Sequence, residues 1–260
     1  MNKKIWSISF ISVTLITVIA FWFTRFSSDD EDFCPSDSNV AVVKIRGEIV
    51  AYPYASDKEA VTDADTLIAK IRALPDVQAL ILDIDSPGGD AAASEAIMNA
   101  VWQHGKDTVA IIGSQGDSGG YLIASVADKI FAREFSEVGS IGITSSYLDQ
   151  SEKNSKNGVA YQEITSGQYK DVGIPNRPLS TQEKAYLLRQ AKKGGEIFAE
   201  LVAKNRNLDI QKVKAIADGS TFWGKEAIEK DLVDDIGGME EALDWIKENK
   251  KISPKICTID

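Results

Sequence analysis

Three short segments that contain glycine carry the side chains best suited to chemistry. Residues 86–89 read Ser-Pro-Gly-Gly, residues 116–120 read Gly-Asp-Ser-Gly-Gly, and residues 166–171 read Ser-Gly-Gln-Tyr-Lys-Asp. A serine hydroxyl such as that of Ser118 becomes a nucleophile when a neighbouring base accepts its proton. Attack on a carbonyl then creates an oxyanion, which preorganised backbone N–H groups can stabilise.

The first segment offers such N–H groups. Pro87 fixes the turn, and Gly88 and Gly89 leave their N–H groups unobstructed just before a predicted helix. In the second segment, Gly119 and the glycine after it allow a substrate backbone to approach Ser118. Each segment also has an ordinary explanation, because turns favour Pro and Gly and serine commonly caps a helix.

The available bases restrict the mechanism. The only histidine, His104, adjoins a glycine at the predicted end of a helix and is expected in a surface turn. The string around Ser118 resembles the nucleophile motif of chymotrypsin-like peptidases, but those enzymes need a histidine and an all-β fold. A neutral Lys170 is the best remaining base, although a loop lysine is ordinarily just solvated.

Strands and helices alternate along the part of the chain that positions these segments. The predicted strands are residues 42–49, 77–84, 108–112 and 129–132, and the predicted helices are residues 63–74, 91–102, 118–126, 181–205, 210–217, 225–229 and 239–248. Thr62 or Asp63 is the expected cap of the first helix and Ser180 that of the long one. This order predicts an α/β fold with a mostly parallel sheet and crossover helices.

The first 25 residues predict a membrane anchor. Lys3 and Lys4 precede an uncharged, apolar run at residues 5–23, whose helical length of about 28 Å matches the hydrocarbon thickness of a bilayer. A cleaved signal peptide is the alternative, but the run lacks a small-x-small cleavage site. The two lysines place the N-terminus in the cytoplasm and the rest outside it. Residues 26–39 then form an acidic tether.

Composition limits the partners and cofactors. The net charge of −10 disfavours nucleic acid, which binds clustered Lys and Arg. Two cysteines near opposite ends, Cys34 and Cys257, are too few and too distant for a zinc cluster. A disulfide between them is possible, but their spacing gives it no support, so we expect unpaired or incidental thiols. The sequence predicts no metal and no cofactor.

The ordered motifs resemble the signal peptide peptidase A family, serine peptidases of family S49 with the ClpP/crotonase fold. The resemblance covers residues 42–246 and rests on six motifs in order: Asp-Ser-Pro-Gly-Gly at 85–89, Ser-Gly-Gly-Tyr-Leu-Ile-Ala at 118–124, Ala-Asp-Lys-Ile at 127–130, Gly-Ser-Ile-Gly at 139–142, Ser-Gly-Gln-Tyr-Lys-Asp at 166–171, and the stretch 217–234. It implies a catalytic domain at residues 40–250, followed by a tail at 251–260.

The resemblance also implies roles. Ser118 matches the nucleophile, Lys170 the base, and Ser140 a serine that orients the lysine. Gly89 and Gly119 match the backbone oxyanion donors. It further implies ring-shaped homo-oligomers in the bacterial plasma membrane, which cleave peptides in or near the membrane, including cleaved signal peptides.

Two alternatives stay open, and one of them follows from a departure from the family pattern. Asp117 stands where the family has a small neutral residue. A carboxylate near the lysine would favour its charged form and so oppose its action as a base. A catalytically inactive membrane scaffold is therefore one alternative. A crotonase-like enzyme acting on an acyl thioester is the other, because it uses the same glycine-turn oxyanion hole.

Overall fold

A computed structural model describes residues 34–52 and 61–260 of the chain. The strands are β1 Val40–Val50, β2 Val61–Asp63, β3 Ala79–Gly89, β4 Asp107–Asp117, β5 Lys129–Ala132, β6 Glu137–Gly139, β7 Thr221–Trp223, β8 Asp235–Ile236 and β9 Ile256–Ile259. The helices are α1 Ala64–Arg72, α2 Ala91–His104, α3 Gly119–Ala124, α4 Ser151–Lys156, α5 Thr181–Arg206, α6 Ile210–Ile216, α7 Gly224–Glu229 and α8 Met239–Lys250.

The strands form one nine-stranded sheet with the order β2-β1-β3-β4-β5-β8. β9 pairs with β1 and β6 with β4, and within the described ranges only the β6–β7 pair is antiparallel. Helices follow β2, β3 and β4 as crossover elements, as a parallel sheet requires. This mixed, mostly parallel α/β architecture confirms the predicted fold class and fits a ClpP/crotonase-like fold.

The two central strands are buried on both faces. In β3, Leu80 and Leu82 pack into the larger hydrophobic cluster, while Ala79 and Ile81 face the smaller one on the other side of the sheet. β4 alternates in the same way. Strands covered on both faces read as continuous apolar runs rather than alternating ones, which explains why these two were visible in the sequence.

Capping residues fix the positions at which two of the helices begin. Asp63 accepts hydrogen bonds from the N–H groups of Asp65 and Thr66 and so caps α1. Ser180 and Glu183 form a capping box at the start of α5, the longest helix of the described residues. Both caps confirm the sequence prediction and illustrate the preference of Asp and Ser for this position.

The strands that lead to the chemistry are longer than predicted. β3 continues through the Ser-Pro-Gly-Gly turn, because Gly88 and Gly89 pair with Glu48 and Ile49 of β1. β4 continues to Asp117, so the strand ends immediately before Ser118. The glycine turn is therefore held by the sheet on one side.

The cysteine expectation was wrong. Cys34 and Cys257 form a disulfide with their Cα atoms 5.1 Å apart. They meet because β9 runs parallel to the beginning of β1, in a register that pairs Cys257 with Ala41. β9 also lies in the stretch 251–260 that the sequence assigned to a tail, so the sheet extends to that end of the chain.

The predicted anchor at residues 1–25 lies outside the described residues. Among residues 34–52 and 61–260, no helix combines the length and the apolar character needed to cross a bilayer.

Candidate active site

Ser118 lies at the carboxyl end of β4, between the strand and α3. Its φ of 49° and ψ of −120° are unusual for a residue with a side chain, and its hydroxyl does not cap the helix. Its backbone N–H donates to the carbonyl of Gly139 at 2.8 Å, which fixes the turn against β6. The strained turn leaves Ser118 half-buried, with its side chain free for another use.

Ser118 lines a cleft of about 1030 Å³. One wall is the carboxyl edge of the sheet, and the opposite wall is formed by α5 and by the segment after α6. The cleft is lined by Glu48, Pro87, Gly89, Ala91, Ser118, Ser140, Gly142, Ile143, Thr144, Leu188, Ala191, Lys192, Gly195, Glu196, Ala199, Lys214, Ala217, Asp218 and Gly219. A cleft at the carboxyl ends of parallel strands is where α/β proteins place their sites.

The glycine turn packs directly against Ser118. A Cβ on Gly88 would lie 2.8 Å from the Cβ of Ser118, and one on Gly89 would lie 2.1 Å from the carbonyl oxygen of Ile49. Both glycines have positive φ, 91° and 154°. Only glycine fits a backbone this close to its neighbours.

The three predicted oxyanion donors differ in their partners. The N–H of Gly88 donates to the hydroxyl of Ser86 at 3.1 Å, and Ser86 in turn donates to the carbonyl of Gly47. Gly119 is the first residue of α3, so its N–H has no acceptor within the helix. Gly89 lines the cleft beside Ser118. Of the three glycines, Gly89 alone is among the residues that line the cleft, Gly119 is buried at the start of α3, and the N–H of Gly88 is used within the turn.

Ser140 lines the same cleft as Ser118. It directly follows β6, and its φ of 49° equals that of Ser118. Its N–H donates to the carbonyl of Ser220 at 2.9 Å. The structure therefore brings together the two predicted catalytic serines, Ser118 and Ser140, at one edge of the sheet.

Lys170 is not brought to this cleft within one chain. It is exposed, it does not line the cleft, and it belongs to an arm that we define as residues 144–179. The two limbs of the arm are joined by a hydrogen bond from the N–H of Gln150 to the carbonyl of Pro175 and by one from the N–H of Leu179 to the hydroxyl of Tyr147. The arm carries Lys170 between α4 and α5.

Asp117 is buried and does not line the cleft. Its Oδ1 has no hydrogen-bond partner among the described residues. Burial, and to a smaller extent the charge of Glu137, raises the pKa of Asp117 to about 6. The carboxyl group at the end of β4 is thus buried and is not part of the cleft lining.

His104 lies far from Ser118. It is the last residue of α2, and the first residue of that helix, Ala91, lines the cleft. Fourteen residues of helix span about 20 Å. Burial and the nearby charge of Lys106 lower the pKa of His104. The position of His104 agrees with its exclusion as the base.

The sequence did not identify the wall opposite Ser118. Leu188, Ala191, Gly195 and Ala199 line the cleft from one face of α5, and their spacing of three and four residues follows the helical period. This period was visible, but it reads equally well as a face packed on the core. Two further lysines, Lys192 and Lys214, reach the cleft from α5 and α6, together with three carboxylate side chains, Glu48, Glu196 and Asp218.

Comparisons with known proteins point to one family. Residues 100–253 match the sequence profile described as Peptidase family S49. A putative signal peptide peptidase of Enterococcus faecium is 36% identical over 191 residues, which cover 72% of this chain and 56% of that protein. A putative protease of Methanocaldococcus jannaschii is 34% identical over 179 residues, covering 68% of this chain and 58% of the relative.

A third relative, named as a chloroplastic serine protease SPPA of Arabidopsis thaliana, is 31% identical over 225 residues, which cover 82% of this chain and 32% of the plant protein. The chain thus spans less than two thirds of the length of each of these relatives.

Proposed function

Because this chain belongs to peptidase family S49, we propose that it is a serine peptidase with Ser118 as nucleophile and Lys170 as general base. The observation that carries the proposal is the position of Ser118, on a strained turn that opens into a cleft beside Gly89. Two relatives are named as proteases and a third as a signal peptide peptidase. A Ser/Lys pair also explains how Ser118 can act as a nucleophile although the single histidine of the chain, His104, lies far from it.

The pair is completed between two copies of the chain. Lys170 is exposed and does not line the cleft of its own chain, so its proposed pairing with Ser118 calls for a cleft supplied by another copy. The same arm exposes the large apolar side chains of Leu148, Val159 and Ile164. Exposed apolar side chains in one segment favour an interface, which a second copy would cover. A closed ring of copies uses the same contact repeatedly and leaves no unmatched surface.

The reaction proceeds by acyl transfer. Neutral Lys170 accepts the proton of the Ser118 hydroxyl as its oxygen bonds to the substrate carbonyl carbon. The N–H groups of Gly89 and Gly119 hold the resulting oxyanion. When the C–N bond breaks, Lys170 returns the proton to the leaving amine. Water then attacks the ester carbonyl carbon as Lys170 accepts its proton. The bond between that carbon and the Ser118 oxygen breaks, Lys170 returns the proton to the Ser118 oxygen, and the acid leaves.

Ser140 orients the lysine. It faces the cleft next to Ser118, so a lysine entering from another copy meets both hydroxyls. Entry into the interface also removes the amine from water, and burial disfavours its charged form. The contact between copies would therefore place Lys170 beside Ser118 and also favour its neutral form.

The proposed substrates are peptides in or near the membrane, cleaved signal peptides among them. The predicted anchor at residues 1–25 would hold the enzyme in a bacterial plasma membrane with its N-terminus in the cytoplasm. The Cys34–Cys257 disulfide supports an extracytoplasmic domain, because disulfides persist in oxidising compartments.

Peptide hydrolysis by purified full-length chain tests the proposal. Ser118→Ala and Lys170→Ala are each expected to abolish hydrolysis while the melting temperature stays unchanged. Mixing the two inactive variants should restore part of the activity, because each supplies the group that the other lacks. Lys192→Ala and Lys214→Ala are the comparison variants: if one of them abolishes activity while Lys170→Ala does not, the base belongs to the cleft of the same chain.

The inactive-scaffold alternative makes a different prediction. An active-site serine reagent should label Ser118 of the peptidase and should fail to label an inactive scaffold. Labelling that is unchanged by Ser118→Ala would sink the assignment of the nucleophile.

A further inference from the structure

The arm is attached to α5 at two places that flank Lys170 in the sequence. The first is a ring contact: Tyr169 stacks on Tyr186, with ring centroids 4.5 Å apart and planes inclined by 14°. Tyr169 is the residue next to Lys170, so this contact fixes the backbone from which the lysine projects. Stacked aromatic pairs stabilise beyond the area that they bury.

The second attachment is a charged cluster. Arg177 donates two hydrogen bonds to Glu183, from Nη1 to Oε2 at 2.9 Å and from Nη2 to Oε1 at 2.7 Å. Its Nε forms an ion pair with Oε2 of Glu163 at 2.9 Å, although the N–H does not point at that oxygen well enough for a hydrogen bond. Glu183 is buried and belongs to the first turn of α5, where it also closes the capping box. The planar guanidinium thus joins both limbs of the arm to the helix, which a lysine could not do with the same geometry.

These contacts close the loop that holds Lys170. The Glu163–Arg177 pair joins the two limbs on either side of it, and the hydroxyl of Tyr161 donates to the carboxylate of Asp171, the residue after the lysine. Lys170 itself donates its N–H to the carbonyl of Gly167 at 3.1 Å, within the same turn. The loop is exposed, yet its base is fixed from several directions.

From these contacts we infer that Arg177 and Tyr186 are positioning residues for Lys170. They set the direction in which the lysine leaves its own chain and therefore whether it reaches Ser118 of another copy. The inference rests on the proposed role of Lys170. It also gives α5 two tasks: its first turns hold the lysine that one copy donates, and its later turns, from Leu188 to Ala199, line the cleft of the same copy.

Cross-linking between copies tests the inference without relying on activity. One full-length population carries Ser118→Cys and the other carries Lys170→Cys, while the two native cysteines are already paired. A short bis-maleimide should join the two populations. Tyr186→Ala added to the Lys170→Cys population should slow cross-linking at least tenfold, and the same change in the Ser118→Cys population should slow it less than twofold.

Matched variants distinguish an effect on the placement of Lys170 from a general loss of structure. Tyr186→Phe keeps the ring and should preserve the cross-linking rate. Arg177→Gln in the population that carries Lys170→Cys should slow cross-linking at least tenfold. Arg177→Lys in the same population should slow it almost as much. A merely structural role would produce equal effects in both populations, and such a result would overturn the inference.

Kinetics supply the second readout. In otherwise unaltered chain, Tyr186→Ala should lower kcat at least tenfold and change KM less than threefold, because the cleft is intact and only the base is misplaced. Tyr186→Phe should remain within twofold of the parent chain. Equal rates for Tyr186→Ala and Tyr186→Phe would overturn the inference.

Failure of the proposed function gives a different pattern. If the two populations never cross-link, but one chain carrying both new cysteines cross-links internally, the site is complete in one copy. The effect of Tyr186→Ala on that internal reaction then decides the inference: a slower reaction supports it and an unchanged one overturns it. If neither arrangement cross-links, the pairing of Ser118 with Lys170 is wrong and the inference falls with it.

Discussion

Ser118 and Ser140 occupy equivalent positions on two neighbouring parallel strands. Each follows one member of the Asp117–Gly139 pair, and each has a φ of 49°. A sparsely populated backbone conformation of this kind costs a residue with a side chain about 1 to 3 kcal/mol. Two adjacent strands are therefore each followed by a serine with a positive φ, and both serines line the same cleft.

The first prediction concerns the Ser140 hydroxyl. Ser140→Ala should lower kcat about tenfold to a hundredfold, because Lys170 becomes charged as it takes the Ser118 proton and a hydrogen bond to a charged group contributes about 1.5 to 3 kcal/mol. The measurement is the steady-state rate of peptide hydrolysis. Ser140→Gly removes the hydroxyl and also relieves the left-handed backbone, so it should lose the same activity. A glycine variant as active as the parent chain would show that the hydroxyl is not used.

The second prediction concerns the oxyanion turn. Gly89→Ala should lower kcat about 10² to 10³-fold, the usual loss for an oxyanion donor. A Cβ there would lie 2.1 Å from the carbonyl oxygen of Ile49, so the backbone must shift. The rate and the melting temperature are measured together. A rate within twofold of the parent would remove Gly89 from the mechanism.

Gly105→Ala is the matched control for that backbone change. Gly105 also has positive φ, 67°, but its nearest atom to a new Cβ lies at 3.9 Å. It ends α2, away from Ser118. The variant should lose about 1 to 2 kcal/mol of stability from the left-handed conformation alone and keep its rate. An equal loss of activity in both variants would mean that Gly89 acts through stability.

The third prediction concerns the pH dependence of stability. Burial raises the pKa of Asp117 to about 6, from 3.8. The folded state therefore holds this proton more tightly than the unfolded state, and the free energy of unfolding falls as the pH rises from about 4 to about 6. Asp117→Asn should remove this loss and stabilise the protein by about 1 to 3 kcal/mol at pH 7.5, with no gain at pH 3.5. Urea unfolding at both pH values measures it.

Glu137→Gln is the companion variant. The charge of Glu137 is the smaller of the two causes that raise the pKa of Asp117. Removing that charge should stabilise the protein at pH 7.5 in the same direction as Asp117→Asn, but by less. An Asp117→Asn gain that is equal at both pH values would contradict the raised pKa.

The fourth prediction concerns the disulfide. Cys34→Ser with Cys257→Ser should lower the free energy of unfolding by about 2 to 4 kcal/mol, because the bond closes a long loop of the unfolded chain. Calorimetry with and without reductant measures it. The rate of hydrolysis should not change, since eight strand residues, or about 26 Å, separate Ala41 from Ile49 beside the glycine turn. A lost rate would link the disulfide to the site.

Much of the fold could be predicted because its signals are local. β3 and β4 are apolar on both faces, and Asp63 and Ser180 cap helices whose period is visible in the sequence. β9 could not be predicted, because a four-residue strand gains its identity only by pairing with β1, more than 200 residues away. The disulfide depends on that same pairing.

The site was predictable in its parts and not in its assembly. Ser118 and Ser140 come together because β4 and β6 pair, a long-range event that glycine-rich motifs only hint at. Nothing in the sequence around Lys170 shows that its arm keeps it out of the cleft of its own chain, because exposed residues held by turns and side-chain contacts have no periodic pattern. The contacts that Arg177 and Tyr186 make could not be predicted from the sequence either.

The junction of Cys34 with β9 determines how the domain would bear a mechanical force. Tension applied to the chain before Cys34 does not reach β1 alone, because the disulfide passes part of it to Cys257. β1 and β9 lie parallel and side by side, so the two strands share such a load at the same end of the sheet. A protein pulled by its N-terminal end would thus be loaded first at the beginning of β1 and at β9, whereas Ser118 follows the carboxyl end of β4, at the other end of the parallel strands.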